Sequence, residues 1–175
     1  MRAWHRLGGV LLSVVAVLAA AGCANAEPGV VAYVGDTRIT QRQLDRAVAG
    51  VSATLQEGQQ VSRDAVVNVM IHGALAEQIA TKRSILVTDS EREAVIRSSQ
   101  LAGLLAVPEA RPIAFDVADQ QIVAKKLGAE AYLNAVRELS VTLNPRFGVL
   151  DPTRKLIREG QTGSLAKPVI PAPTP

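Results

Sequence analysis

A single cysteine, Cys23, stands at the end of an apolar leader, and the chain contains no second thiol. No intrachain disulfide is open to it, so whatever follows must be held together by an apolar core alone. Ahead of Cys23, Met1–Arg6 carries Arg2 and Arg6 with no acid, and Leu7–Ala21 is apolar or small throughout. That run falls short of the roughly 20 residues a bilayer-spanning helix needs. A charged start, an apolar middle and small residues at the end describe a signal peptide, which takes no part in the fold.

Two cleavage sites compete. Ala20-Ala21-Gly22-Cys23 resembles the lipobox of bacterial lipoproteins, although Ala20 stands where leucine is usual. Cleavage there makes residues 1–22 the signal peptide, exposes Cys23 for lipidation and leaves 23–29 as a short tether. Ala24-Asn25-Ala26 is an A-x-A site for ordinary signal peptidase, which would discard the cysteine. On the lipobox reading, acyl chains of the palmitate type contribute about 0.8 kcal/mol per buried CH₂, and two chains anchor stably where one does not. The expected location is the extracytoplasmic face of the cell membrane, reached through a lipid.

Charge narrows the partners. Loss of Arg2 and Arg6 from the 19 basic residues leaves 17 against 16 acidic ones, so the processed chain is nearly neutral. Adjacent basic residues occur only as the short pairs Lys82-Arg83, Lys125-Lys126 and Arg154-Lys155, which is no nucleic-acid footprint. Tyr33, Phe115, Tyr132 and Phe147 are the aromatics left once Trp4 is removed, poor equipment for stacking on sugars or bases.

Val30–Val34 reads as a strand, Gly35-Asp36 as a turn and Thr37–Ile39 as a second strand, close enough to form a hairpin. Thr40 and Gln43 form a capping box that opens a helix, in which Leu44, Val48, Val51 and Leu55 share a face until Gly58. Ser62 caps a second helix, ending near Lys82 and Arg83, whose two adjoining apolar stripes predict burial on more than one side. Thr88 and Glu91 open a third helix, expected to run to about Leu104. Pro108 and Pro112 predict an irregular stretch. Phe115, Ala118 and Ile122 restore helical spacing before Gly128, and a short helix from about Glu130 carries Tyr132, Leu133 and Val136. Ser140–Leu143 reads as a late strand ending at Asn144-Pro145, and residues 152–175 as a disordered, Pro-rich tail.

Both ends of the folded part resemble one family. Val31–Leu44 is similar to the opening of the SurA N-terminal domain: a valine-rich strand, a glycine turn, an isoleucine and a Thr-capped helix. Val87-Thr88-Asp89 is similar to a later helix start there. Val141–Gly148 resembles the strand and Asn-Pro-Arg-aromatic-Gly close of chaperone-like lipoproteins. The resemblance spans roughly residues 30–151 and implies a mainly α fold, with a small antiparallel sheet joining the N- and C-terminal strands. It also implies binding of unfolded or extended exported polypeptides. SurA-type foldases carry a parvulin-type prolyl isomerase domain, for which this chain has no room. After processing only His72 remains to furnish such a site, so isomerase activity is not carried over.

Candidate chemistry is sparse. His72 lies mid-helix between Ile71 and Gly73, without a second histidine or cysteine to complete a metal site. Asp89, Glu91 and Glu93 could serve as paired carboxylates, but a place in a first helical turn accounts for them without chemistry. Gly35 and Gly148 belong to no phosphate-binding motif, and Asn144-Pro145-Arg146 is explained by a turn. No catalytic residue, metal, cofactor or small-molecule substrate is therefore expected, and the peptide-binding residues stay unassigned. The expectation is a non-catalytic, membrane-tethered chaperone-like lipoprotein. The alternative is an interaction lipoprotein that binds one folded partner in envelope assembly.

Overall fold

The computed structural model describes residues 28–157 of the 175. Their fold is mainly α, with five helices and one three-stranded antiparallel sheet among the described residues. Strands β1 (Val30–Val34) and β2 (Thr37–Thr40) pair through a two-residue turn in which Gly35 takes a φ of 51°. Such positive φ at the head of a tight hairpin suits glycine. Strand β3 (Val141–Leu143) lies on the other side of β1, so the first strand is central and the two ends of the domain meet on it. Asn144 locks that junction. Its backbone N–H donates to Val31 O at 2.8 Å and its side-chain amide to Val30 O at 2.9 Å.

Helix α1 (Gln41–Ser52) starts at the Thr40–Gln43 capping box and buries Leu44, Ala47 and Gly50. It stops before the expected end at Gly58. The Ala53 N–H turns back to Ala49 and Val51, and the Thr54 hydroxyl donates to Val51 O at 2.7 Å, competing with the helical ladder. Helix α2 (Arg63–Lys82), capped by Ser62, is the central element; Val66, Val67, Ile71, Leu75 and Ile79 are all buried on it. Helix α3 (Asp89–Arg97) likewise ends short of Leu104. There the Ser98 and Ser99 hydroxyls bond to Val95 O and Ile96 O, and a 3₁₀ turn follows at Ala102–Ala106. Pro112 sits in the first turn of helix α4 (Arg111–Leu127), where its missing N–H costs nothing, so the irregular stretch is shorter than the two prolines predict. Helix α5 (Ala129–Glu138) buries Tyr132 and Val136 and leaves Leu133 about half exposed.

The sheet, α1, α2 and α5 enclose the main core, in which Val31, Val34, Leu44, Ile71 and Leu75 are fully buried. Each such side chain contributes roughly 1.5–3 kcal/mol by leaving water. Helix α4 packs against α2 on one side and, with Ile96 and Leu104, closes a second cluster on the other. No helix among the described residues is long and apolar enough to cross a membrane.

The expected disordered tail is corrected over its first six residues, Pro152 to Ile157. Leu150 pairs with Ile157, whose side chain is buried and whose N–H donates to Asn68 Oδ1 of α2 at 2.7 Å. Asp151 Oδ1 accepts from the N–H groups of Thr153 and Arg154, tightening the turn between them. The rest of that tail lies outside the described residues, as do the signal peptide, Cys23 and most of the tether.

Candidate functional site

Helices α2 and α4 run side by side with a close approach at Gly73. A side chain there would overlap the Asp116 carboxyl group on α4. Glycine in a helix interior costs about 1 kcal/mol relative to alanine. Here its absent side chain is the space that the Asp116 carboxyl occupies.

Beside this contact a groove of about 500 Å³ opens between β2, α1, α2 and the start of α4. Ile39, Ala47, Met70, Ala74 and Ile113 form its apolar floor. Arg38 and Arg46 line the β2–α1 wall, and Glu77, Glu109 and Asp116 the opposite side. A second groove, of about 380 Å³, continues along the α2–α4 seam and shares Glu77 with the first. Its apolar lining includes Ala80, Ile85, Val87 and Val123, and Leu86 stands 76% exposed at its rim. From Met70 to Thr81 the α2 wall is about 16 Å long, which matches about five residues of extended chain.

The electrostatics of the seam are uneven. Asp119 is held by Arg92 of α3 through two hydrogen bonds, at 2.6 and 3.2 Å, and Arg92 also reaches Asp89 and lies over the Phe115 ring. Asp116 has no such partner: no side-chain hydrogen bond reaches it from the described residues. Burial, and then the charges of Asp119 and Glu77, push its carboxyl up to about 8, so it holds a proton at neutral pH. Gln78, next to Glu77, turns to the hairpin, where its amide nitrogen donates to Val34 O and to Thr37 Oγ1.

The residues singled out in the sequence lie apart from the groove or outside the described part. Cys23 belongs to the latter. His72 is on another face of α2, its Nδ1 3.5 Å from the Gln120 amide nitrogen. Burial lowers its pKa, while the nearby Arg154 and Lys155 carbonyls act in the opposite sense without completing a hydrogen bond to Nε2. Among the described residues no group of three or more His, Cys, Asp or Glu could hold a metal ion. Asp89, Glu91 and Glu93 are spent on structure. Glu91 closes the Thr88 capping box and reaches Lys126 of α4 at 2.6 Å, with Asp89 on Arg92 and Glu93 on Arg97. The Lys126 hydrogen bond is the main reason the Glu91 pKa is lowered. Arg146 is exposed and makes no ion pair among the described residues, and Asn144 acts through its turn and its clamp on β1.

No family model, curated protein or solved structure matches the chain.

The site therefore rests on its own geometry. Asp116 and Glu77 went unnoticed in the sequence and Gly73 was read only as part of a helix stripe, though one signal there could have found the contact. Gly73 falls in an apolar stripe of a helix interior, the mark of a close approach by another group. The first groove presents one carboxyl with a raised pKa but no Ser, Cys, His or Lys in its lining. What this arrangement offers is apolar contact along a trough and polar contact at its rims.

Proposed function

We propose that this chain is an extracytoplasmic, lipid-tethered, chaperone-like protein that holds unfolded or extended exported polypeptides without catalysis. The observation that carries the reading is the trough along α2 and α4: two adjoining grooves with apolar floors and polar rims, long enough for about five extended residues. Such a surface accepts apolar side chains of many sequences while its rim groups bond to backbone amides. The similarity of Val31–Leu44 and Val141–Gly148 to the SurA N-terminal domain supports the same reading.

The full chain should delay aggregation of unfolded exported proteins at stoichiometric ratio, as followed by light scattering. Ala80→Arg, which sets a long cation into the second groove, should cut that delay several-fold while leaving the helical circular dichroism unchanged. An undiminished delay in the variant would remove the groove from the account. The exposed Leu86 favours one other reading, a contact with a single folded partner. Recovery of one stoichiometric partner from detergent-solubilised cells, with no effect on aggregation, would favour that reading instead.

The tether is tested separately. Cys23→Ala should shift the protein from the membrane to the soluble fraction and remove the diacylglyceryl mass from the processed chain. Unchanged mass and partition would place cleavage after Ala26 and discard the anchor, leaving the groove untouched.

A further inference from the structure

A bare apolar trough would discriminate little among exported chains, but this one has a polar centre. Where the two grooves meet, Glu77 stands exposed on α2 and the Asp116 carboxyl lies over Gly73 in the wall of the first groove. Arg92 of α3, which lines the second groove, is committed to Asp119 and Asp89, and no ion pair among the described residues reaches Asp116. Arg38 of β2 and Arg46 of α1 line the opposite wall, and Glu109 lies on the turn before α4. Apolar floor extends to either side of the acidic centre, with Ala47, Met70 and Ile113 in one direction and Ala80, Ile85 and Val123 in the other.

Building on the peptide reading, we propose that the trough selects extended chains in which a lysine or arginine lies among apolar residues, and that Asp116 and Glu77 together seat its cation. Charge complementarity argues for this occupant. A half-buried carboxyl without a hydrogen-bond partner is costly to ionise, and a ligand cation at hydrogen-bond distance removes that cost. The apolar floors on both sides take the neighbouring side chains, and the long stem of lysine or arginine lies well along such a surface. An acidic or uninterrupted apolar segment gains nothing at the centre.

Seating the cation carries a proton with it. Free Asp116 is protonated at neutral pH, and on binding the carboxylic acid releases its proton to solvent as the carboxylate pairs with the ligand ammonium or guanidinium. Affinity for a basic peptide should therefore rise with pH up to about 8, by at most about tenfold per unit, and level off above it. Glu77, Asp119, Glu109, Arg38, Arg46 and Arg92 are the other charged groups around this site.

The test uses the full chain and two blocked, fluorescently labelled peptides. One carries a lysine flanked by valine and leucine; the other is identical but has norleucine in place of lysine. Fluorescence anisotropy should give the lysine peptide about tenfold tighter binding, or about 1.4 kcal/mol. Calorimetry in two buffers of different ionisation enthalpy should show proton release for that peptide alone. Asp116→Asn should abolish both the preference and the proton release, and Glu77→Gln, at an exposed rim position, should reduce the preference with the fold intact. Equal or tighter binding of the norleucine peptide, or a lysine preference that survives in Asp116→Asn, would overturn the proposal and leave the peptide reading standing. Failure of both peptides to bind overturns the proposal as well. If the chain then also fails to delay aggregation, the peptide reading falls with it.

Discussion

Asp116→Asn is expected to stabilise the fold above neutral pH, by on the order of a few kcal/mol, and to have its smallest effect below about pH 4. The unfolded carboxyl titrates near 3.8, whereas burial, Asp119 and Glu77 raise the folded one to about 8. Between those values the folded state binds the extra proton, so the wild-type chain loses stability as pH rises from about 4 to about 8. Asparagine keeps the shape and has no proton to lose. Urea unfolding across this range should show the variant and wild-type midpoints diverging upward with pH and running parallel above about 8. A constant difference across the whole range would mean that Asp116 is ionised in the fold and paired with some cation.

Leu75→Ala should cost about 2–5 kcal/mol. Leu75 is fully buried on the central helix α2, in the cluster that α1, α5 and the sheet enclose. The loss combines the transfer free energy of the removed atoms with the cavity left among neighbours held by several elements, none free to collapse into it. The urea midpoint should fall with the slope unchanged. A loss below about 1 kcal/mol would mean that this helix is not the packing centre.

How much of this was legible in the sequence depended on whether the deciding interaction is local. The Thr40–Gln43 and Thr88–Glu91 capping boxes span three residues each, and both helix starts fall where the pattern places them. The two stripes of α2 predicted burial on more than one side, and the helix does lie between the sheet and α4. Helix ends were read less well. Gly58 looked like the stop signal of α1, but the Thr54 hydroxyl had already taken the Val51 carbonyl.

The remaining misses are long-range. Ile157 follows the exposed Leu156 in a largely polar stretch, and the Asn68 side chain on α2 and the pairing with Leu150 are what hold it in place. Gly73 and Asp116 acquire meaning only together. One supplies the space, the other the carboxyl, and they lie on different helices. Single-helix periodicity marks Asp116 as an ordinary polar position, because nothing local tells it apart from Asp119, which Arg92 neutralises.

The central claim is that an extended exported chain lies along the seam between α2 and α4. The most direct measurement is an amide and methyl NMR perturbation map of the full chain titrated with an unfolded exported polypeptide. Shifts should concentrate at Ile39, Met70, Ala74, Ala80, Ile113 and Val123, the residues that line the two grooves. Perturbations confined to the exposed Leu133, Val149 and Leu156, with the seam silent, would contradict the account.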